Sequence, residues 1–443
     1  MRCAFRLFLA ALAVMVLGVM EPAAAQEAAK AEVKAEGKAK PVWDLRTAEI
    51  RPELTVGEVV RNADGTVSLN GRNAFAVPAE AFPDAENFTV VIRAKFGPRN
   101  VGESFPLLRK HGEAETGFEY VVNQLPWNHI QLGTRITVNG MVAEGRGIRE
   151  PNDTECSFTL AVRNGCPSFY FNDFLGRRCF VQMLPNDEPF WVGACSEGQI
   201  EKGTFFKDVT ITELKVFGAN YAYVCPHEPK EDEPRGAVMG KGWTIDAPQV
   251  ADPNRPHILI FGDSISMGYR GALIDGLKGK VYVDHFCGFV SNTCNTKAFT
   301  EAAGNRQYAM IFFNNGLHSL HWTPDQVSDE EIANRTRDIV RSFRAGSPNA
   351  RLFWLTTTPH TAQRPAPGKP VEALGELNPI VLRINRIAER VMKEEGVEII
   401  DVYSPLAKRL DLANGDGYHW NSQACQIIAD AVAAKTREGL KIQ

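Results

Sequence analysis

The chain has 443 residues, of which 44% are apolar and 23% are charged, and its formal net charge is −4. A chain of this length exceeds one ordinary hydrophobic core, so the sequence predicts two domains. Because the composition is close to neutral and has no basic stripe, it offers no electrostatic surface for nucleic acid, and we expect no nucleic-acid partner.

The N-terminus has the three parts of a secretory signal peptide, over residues 1–25. Arg2 and Arg6 precede an apolar run from Leu7 to Met20, and Ala23 and Ala25 provide the small residues of a cleavage site. The alternative is a membrane anchor, but this run is short for a bilayer, and no later segment approaches the needed length. We therefore expect an exported chain, secreted or periplasmic, with no stable membrane anchor after cleavage.

Eight of the nine cysteines lie beyond Cys3, and an oxidising compartment permits disulfides among them. Cys287 and Cys294 are close enough along the chain for a local bridge, but the pairing of eight cysteines cannot be read from their spacing. Buried free thiols are the alternative, and the sequence leaves both open.

Two stretches of unusual composition divide the chain. Residues 26–41 are rich in Ala, Lys and Glu without an apolar face, which is typical of a solvated spacer. Residues 225–254 contain Pro-His-Glu-Pro-Lys-Glu-Asp-Glu-Pro-Arg-Gly, and this content of proline and charge predicts an interdomain linker. The two stretches leave a first domain at residues 42–224 and a second at residues 255–443.

The first domain shows many short strands and almost no helical period. Asn87–Phe96 is rich in β-branched and aromatic residues, and Val209–Phe217 alternates almost strictly. Between Ser157–Val162 and Ser168–Phe171, the pair Asn164-Gly165 is a strong signal for a tight hairpin turn. Short strands at regular spacing predict an all-β sandwich of the jelly-roll type.

Two segments, Gly65-Thr-Val-Ser-Leu-Asn-Gly71 and Ser168-Phe-Tyr-Phe-Asn172, together with the closing strand, resemble laminin-G-like and concanavalin A-like jelly rolls. The resemblance implies a lectin-like domain that binds sugars, in some members with calcium. No acidic cluster here specifies a calcium site. Core aromatics and ordinary turns are the commoner explanation for each candidate residue of a binding loop. These candidates are Phe75, Trp127, Asn128 and His129.

From Arg255 onward, short apolar strands alternate with helical segments. The predicted strands are His257–Phe261, Val281–Phe286, Tyr308–Phe313, Leu352–Thr356 and Val397–Val402. The predicted helices are Ile265–Leu277, Glu330–Arg344, Pro379–Glu395 and Ser422–Lys435. This alternation predicts an α/β domain in which helices cover both faces of a parallel sheet. In such sheets the chemistry gathers at the carboxyl ends of the strands.

Ser264 stands directly after the first of these strands, in Phe261-Gly-Asp-Ser-Ile-Ser266. Backbone N–H groups are unpaired at a junction from strand to helix, and they stabilise the oxyanion that a serine nucleophile generates. For an isolated Gly-Asp-Ser triplet, however, a plain N-cap is the better explanation. The choice depends on whether the chain also supplies a base and an orienting acid.

Asp416-Gly-Tyr-His419 follows the last predicted strand and lies at the same edge of the sheet. A serine hydroxyl is a weak nucleophile until an imidazole takes its proton, and the imidazole needs a carboxylate to fix its tautomer. His419 and Asp416 supply both groups on one loop. Because the three roles occur together, the sequence predicts a catalytic triad of Ser264, His419 and Asp416.

These motifs resemble the SGNH (GDSL-type) hydrolase family over about residues 255–440. The resemblance implies a three-layer, flavodoxin-like fold with the nucleophile at Ser264 and an Asp-x-x-His pair at Asp416 and His419. It also implies that the N–H groups of Ser264 and of Gly288, which follows the second strand, donate to the oxyanion. The order serine, aspartate, histidine also occurs in α/β-hydrolases, but their Gly-x-Ser-x-Gly elbow is absent.

One block departs from the family pattern. The third strand should lead into Gly-x-Asn-Asp, whose asparagine donates to the oxyanion, but the chain reads Phe313-Asn-Asn-Gly-Leu-His-Ser-Leu-His321. Aligned on Gly316, His318 takes the asparagine position. Either His318 or Asn314 can donate this hydrogen bond, and the sequence leaves both open. A metal site at His318 and His321 is disfavoured, because no third ligand with suitable spacing follows.

Four polar residues lie at the end of the fourth predicted strand or just after it, near the same edge of the sheet. Residues of these types at strand ends usually satisfy loop backbone, so we assign them no catalysis and at most a place in the pocket lining. They are Thr356, Thr357, Thr358 and His360.

The sequence thus predicts a secreted serine esterase that hydrolyses carboxylic esters, expected to be O-acetyl groups on carbohydrate because a lectin-like domain precedes the hydrolase domain. The family resemblance also covers lipases and thioesterases, so small acyl esters are an alternative. A carbohydrate-binding protein with an inactive hydrolase domain is another. We predict no metal and no organic cofactor, and the sequence leaves the oligomeric state open.

Overall fold

The structure is a computed structural model. It describes residues 39–97, 104–111, 117–125, 129–138, 141–151, 154–183, 188–193, 208–227, 232–288, 295–314, 316–364, 366 and 369–442. The predicted signal peptide, most of the predicted spacer, Trp127, Asn128 and Cys294 lie outside these residues. In the part of the chain that is described, no helix has the length and apolar character needed to cross a membrane.

The first part of the chain forms two antiparallel sheets. The strands are β1 Trp43–Asp44, β2 Thr55–Val56, β3 Val60–Arg61, β4 Val67–Leu69, β5 Ala74–Val77, β6 Phe88–Phe96, β7 Ser104–His111, β8 Gly117–Leu125, β9 His129–Val138, β10 Met141–Pro151, β11 Glu155–Arg163, β12 Cys166–Phe171, β13 Phe174–Arg178, β14 Phe190–Gly193 and β15 Val209–Phe217. One sheet has the order β13-β12-β11-β6-β15-β4-β3, and β1 also pairs with β15. The other has the order β10-β9-β8-β7-β14-β5-β2.

The two sheets pack face to face through aromatic side chains. The rings of Phe96 on β6 and Phe105 on β7 are 6.1 Å apart at 71°, an edge-to-face contact between the sheets. Phe75 lies in this core at 0% exposure, which agrees with the favoured explanation of a core aromatic and excludes the binding-loop alternative for this residue. The structure thus has the predicted sandwich of antiparallel sheets, while the jelly-roll and lectin-like assignments stay predictions.

The hairpin predicted at Asn164-Gly165 is present between β11 and β12. Asn164 has φ +48° and Gly165 has φ +72°, and two such left-handed residues form the tight turn that matches the twist of paired strands.

The second part of the chain combines a seven-stranded sheet with helices, within the described residues. Its strands are β16 Arg235–Gly240, β17 Trp243–Pro248, β18 His257–Gly262, β19 Tyr282–Cys287, β20 Tyr308–Phe313, β21 Arg351–Leu355 and β22 Glu398–Ile400. Its helices are α1 Ser264–Leu277, α2 Thr296–Gly304, α3 Asp329–Gly346, α4 Asn378–Glu394, α5 Tyr403–Ala407 and α6 Ser422–Leu440.

Five parallel strands in the order β19-β18-β20-β21-β22 form the main part of this sheet. Numbered along the chain from β18, this is the order 2-1-3-4-5 of flavodoxin-like sheets, in which the strand order reverses between the first and third strands. Ser264 follows β18 and Asn314 follows β20, so both lie at this reversal. Ligands bind at such a point, outside the carboxyl ends of the strands.

The predicted linker at residues 225–254 requires a correction, because it contains β16 and β17. These strands form an antiparallel hairpin, and β17 pairs with β19 through Ile245 opposite Phe286. The proline and charge that indicated a linker end before Gly236, and the alternating apolar residues beyond it extend the sheet. On β16, Ala237 and Met239 pack into the sandwich core, so this strand joins the two parts of the protein.

Helices cover both faces of the parallel sheet. On β18, Ile258 and Ile260 pack in a core with α1 and α6, whereas Leu259 and Phe261 pack in a second core with α2 and α3. Alternate residues of a strand point to opposite faces, so a continuous apolar strand fills both cores.

Candidate active site

Ser264 is the first residue of helix α1, directly after β18. Asp263 caps this helix, since its Oδ1 accepts a hydrogen bond from the N–H of Ile265 at 2.9 Å. The N–H of Ser264 has no acceptor within the helix, and it lies at the positive end of the helix dipole. The Ser264 side chain is exposed to solvent.

The structure brings the three residues of the predicted triad into contact. Nε2 of His419 lies 2.8 Å from Oγ of Ser264, although the two residues are 155 positions apart. Nδ1 of His419 lies 2.6 Å from Oδ2 of Asp416. A hydroxyl, an imidazole and a carboxylate therefore form one hydrogen-bonded chain at the carboxyl edge of the sheet.

The loop around Asp416 explains why its carboxylate is well placed. Gly415 and Gly417 have φ of +84° and +93°, and Oδ1 of Asp416 accepts the N–H groups of Tyr418 at 2.9 Å and His419 at 2.8 Å. Partial burial raises the pKa of Asp416, but the two N–H groups and the imidazole outweigh it and lower this pKa to about 2. The carboxylate thus stays ionised while it holds Nδ1 of His419.

A segment after β21 supports the same loop. The N–H of Thr361 donates to the carbonyl of Gly417, and the N–H of Arg364 donates to the carbonyl of Gly415, each at 2.9 Å. These two backbone bonds lie on either side of Asp416. They pair the loop with the segment at residues 361–364, and Gln363 lies opposite Asp416 in this pairing.

The predicted oxyanion donor at Gly288 requires a correction. Its N–H donates to the carbonyl of Gly262 at 2.8 Å, because the parallel pairing of β18 and β19 continues one residue beyond the strands. This N–H is therefore already engaged, and it is not free to bind an oxyanion in this arrangement.

The two remaining oxyanion candidates lie after β20. Asn314 is buried beside the nucleophile turn, where a Cβ added at Gly262 would lie 3.2 Å from its Oδ1. That oxygen has no hydrogen-bond partner among the described residues. His318 lies farther along, half-buried in a short 3-10 turn at Leu317–Ser319. Asn314 is thus the candidate at the strand end next to Ser264.

Thr356, Thr357, Thr358 and His360 are all buried, so they support the fold around the site. Oγ1 of Thr356 accepts the N–H groups of Val402 and Tyr403, each at 2.9 Å, as predicted for loop backbone. The ring of His360 packs edge-on against Tyr418, with centroids 5.2 Å apart. Among the described residues, no group of three or more His, Cys, Asp or Glu side chains is arranged to hold a metal ion.

Sequence reasoning missed two polar residues, Ser266 and His285, that lie next to the turn carrying Ser264. Oγ of Ser266 lies 2.8 Å from Nε2 of His285, and both side chains are buried. A histidine within the apolar strand β19 was a usable signal, since a buried polar side chain requires a partner.

The chain matches no protein-family model and no curated protein. Several solved structures are similar to part of it. A carbohydrate esterase of family 3 from Talaromyces cellulolyticus is 14% identical, with 42% of this chain and 98% of that chain covered and a TM-score of 0.35. A carbohydrate acetylesterase from Sinorhizobium meliloti is 15% identical, with 42% of this chain and 99% of that chain covered and a TM-score of 0.33. A GDSL-like lipase from Bacteroides thetaiotaomicron is 14% identical, with 41% of this chain and 88% of that chain covered and a TM-score of 0.32. Likeness at this level supports no statement about activity.

Proposed function

We propose that this protein is an exported serine esterase that hydrolyses carboxylic esters, with Ser264, His419 and Asp416 as its catalytic residues. The observation that carries the proposal is the hydrogen-bonded chain from Asp416 through the imidazole to Oγ of Ser264, at 2.6 and 2.8 Å. When Nδ1 of a neutral imidazole donates to a carboxylate, Nε2 carries the lone pair and can take the proton of the hydroxyl.

In the first step, Oγ of Ser264 attacks the carbonyl carbon of the ester while Nε2 of His419 takes the hydroxyl proton. The carbonyl oxygen becomes an oxyanion, and the N–H of Ser264 at the start of α1 stabilises it. His419 then gives the proton to the leaving alcohol, and the acyl group stays on Oγ. Asp416 stabilises the imidazolium that forms between these two transfers.

In the second step, His419 takes a proton from a water molecule, which attacks the acyl carbon. The intermediate collapses, Oγ of Ser264 regains the proton, and the carboxylic acid leaves. Protein side chains and water supply every proton and electron pair in this route.

Asn314 is our choice for the second oxyanion donor, through its Nδ2 atom. It lies at the end of β20, next to Gly262 and the nucleophile turn, whereas His318 is in the following 3-10 turn. A side-chain amide that is already buried needs little reorganisation to donate to a developing charge, which is the property that makes oxyanion donors effective.

We propose O-acetyl groups on carbohydrate as the substrate class. In the second part of the chain, the described residues include few large exposed apolar side chains. Two of them flank the triad. Met267, at 53% exposure, lies one helical turn after Ser264, and Tyr418, at 41% exposure, directly precedes His419. The others are Leu374 and Leu382. The exposed apolar area beside the triad, formed by Met267 and Tyr418, suits a methyl group better than a long acyl chain. In this proposal the sandwich holds the glycan.

The activity is tested by a pair of serine variants on p-nitrophenyl acetate. Ser264→Ala is expected to lower kcat by about a thousand-fold or more, because it removes the nucleophile. Ser422→Ala is the matched control, since Ser422 is also an exposed first residue of a helix. A loss of only a few-fold in Ser264→Ala, or an equal loss in both variants, would remove the esterase assignment.

The substrate class needs a separate comparison with the wild-type protein. Acetylated xylan and pectin are expected to be deacetylated faster than long-chain p-nitrophenyl esters are cleaved. A clear preference for long acyl chains would contradict the carbohydrate proposal. Binding to glycans without turnover of any ester would instead favour a carbohydrate-binding protein with an inactive hydrolase domain.

A further inference from the structure

A chain of polar side chains leads from the hairpin β16–β17 to the turn that carries the nucleophile. Asp246 on β17 accepts hydrogen bonds from Nε of Arg235 at 2.9 Å and from Nη1 of Arg270 at 2.8 Å. Nη1 of Arg270 also lies 3.4 Å from Nδ1 of His285. On its other side, Nε2 of His285 lies 2.8 Å from Oγ of Ser266.

Arg270 donates towards both Asp246 and His285, and beyond Arg270 the hydrogen bonds all point towards Asp263. A guanidinium can only donate, so Nδ1 of His285 accepts from Arg270 and Nε2 carries the ring proton. Nε2–H then donates to Oγ of Ser266, whose hydroxyl donates to the carbonyl oxygen of Asp263 at 2.6 Å. Burial and the adjacent Arg270 lower the pKa of His285 to about 3 against the pull of Asp246, so the ring is neutral near pH 7.

The last acceptor belongs to the peptide that joins Asp263 to Ser264, and it accepts the Ser266 hydroxyl at 2.6 Å and, more distantly, the N–H of Met267 at 3.2 Å. A trans peptide is planar and its C=O and N–H point in opposite directions, so a bond that holds the oxygen also sets the direction of the N–H. A hydrogen bond at the carbonyl also polarises the N–H of the same peptide. That N–H, on Ser264, is the backbone donor to the oxyanion in the proposed mechanism.

Burial excludes a second nucleophile at this place. Ser266 and His285 are each only 1% exposed, so no ester reaches the hydroxyl. The Ser266 proton is also already donated to the carbonyl of Asp263. The contact that the pair makes with the turn carrying Ser264 is therefore to its backbone, at the carbonyl of Asp263.

We propose that His285 and Ser266 are positioning residues that aim the N–H of Ser264 at the developing oxyanion. The inference rests on the esterase activity proposed above. It also gives the hairpin β16–β17 a function in the reaction, because Asp246 holds Arg270 in place behind His285.

The test measures kcat and KM on p-nitrophenyl acetate in the full chain. Ser266→Ala and His285→Leu are expected to lower kcat by about ten-fold and leave KM nearly unchanged, because an oxyanion donor acts in the transition state. His285→Gln restores an N–H near the position of Nε2 and is expected to lose less than about three-fold. His257→Gln is the control, since this half-buried histidine lies at the other end of β18, with Nδ1 3.3 Å from Oδ1 of Asp284, and the kcat of this variant is expected to be unchanged.

Each outcome decides the question. If Ser264→Ala abolishes turnover but Ser266→Ala and His285→Leu keep kcat within about two-fold, the positioning role is wrong and the esterase stands. An equal loss in His257→Gln would show a general effect on folding and would also overturn it. If Ser264→Ala keeps its activity, the proposed function itself fails.

A further pair of variants covers the case in which Ser266→Ala or His285→Leu does not fold. The amide of His285→Asn can accept from Arg270 but is too short to reach Ser266, whereas the amide of His285→Gln reaches it. The kcat of His285→Asn is therefore expected to be several-fold lower than that of His285→Gln. Equal kcat values in the two variants would contradict the positioning role.

Discussion

The carboxylate of Asp263 accepts a hydrogen bond from the N–H of Leu317 at 3.1 Å, so the residue before Ser264 also holds the turn that follows β20. The other carboxylate oxygen caps helix α1 through the N–H of Ile265. One buried side chain thus fixes the nucleophile turn and the segment with the candidate oxyanion donors relative to each other.

This relationship predicts a high cost for Gly316→Ala. Gly316 has φ +70°, and a Cβ there would lie 2.2 Å from Oδ2 of Asp263. We expect Gly316→Ala to lower the free energy of unfolding by about 2 kcal/mol or more, from backbone strain and a displaced carboxylate together. It is also expected to reduce esterase activity, because the turn after β20 shifts. Urea unfolding and the p-nitrophenyl acetate assay measure the two effects.

Gly279→Ala is the matched control for the backbone term. Gly279 has φ +73°, but no atom lies within 4 Å of its added Cβ. Its expected cost is about 1 kcal/mol, with no loss of activity. Equal costs at the two glycines would contradict the importance of the Asp263 contact.

Asp416→Asn is expected to lower kcat by about 10³–10⁴-fold with little change in KM. The amide keeps an oxygen for the two backbone N–H groups, but it presents a donor to Nδ1 of His419 and so favours the wrong tautomer. Asp411→Asn is the control, since this exposed carboxylate of the neighbouring 3-10 turn pairs with Arg409. Steady-state kinetics on p-nitrophenyl acetate would contradict the assignment if both variants kept wild-type rates.

The oxyanion donor is identified by comparing Asn314→Ala with His318→Ala. We expect Asn314→Ala to lower kcat by about 10²-fold or more, the usual loss for one oxyanion donor, and His318→Ala to lose much less. KM should change little in either variant, because the hydrogen bond strengthens only as charge develops. A large loss in His318→Ala with a small one in Asn314→Ala would reverse the assignment.

The buried ring of His285 is expected to make the free energy of unfolding depend on pH. Burial lowers its pKa to about 3 in the folded chain from the ordinary value of 6.5, so between these values the unfolded state binds a proton that the folded state does not. Its contribution is therefore fully present above pH 6.5 and falls as the pH is lowered towards 3. One proton corresponds to at most about 1.4 kcal/mol per pH unit.

The variant His285→Gln lacks this titrating ring. Urea unfolding of both proteins at pH 7, 6, 5 and 4 is expected to show a steeper loss of stability in the wild type. Parallel pH dependences would show that the ring of His285 takes up its proton at the same pH in the folded and unfolded chains, which would contradict the lowered pKa.

The fold of the second domain was predictable where strands are continuous apolar runs. Tyr308–Phe313 was predicted with its observed bounds, because an apolar strand in a doubly wound sheet has no polar face to blur its ends. The hairpin β16–β17 was missed because proline and charge in the preceding segment outweighed the weaker alternation of Trp243–Pro248. The average composition of residues 225–254 could not distinguish the charged segment from the hairpin that follows it.

The contact among Ser264, His419 and Asp416 was predictable because each role of a triad requires a particular residue type, and Ser264 and His419 both follow strands at one edge of the sheet. Asp263 and His285 were not assigned roles, because their roles depend on partners distant along the chain. Asp263 contacts Leu317 across 54 positions. The prediction that the N–H of Gly288 donates to the oxyanion was wrong for a related reason. The sequence does not show that the pairing of β18 and β19 continues, so that this N–H donates to the carbonyl of Gly262.

The most direct test of the central claim is covalent trapping of the nucleophile with diethyl p-nitrophenyl phosphate. We predict that the wild type releases one equivalent of p-nitrophenol and gains a diethylphosphoryl mass on the peptide that contains Ser264. The labelling reaction is expected to be much slower in His419→Ala, and Ser264→Ala is expected to form no such adduct. An adduct on another residue, or an ester hydrolysis that continues after Ser264 is fully labelled, would contradict the account.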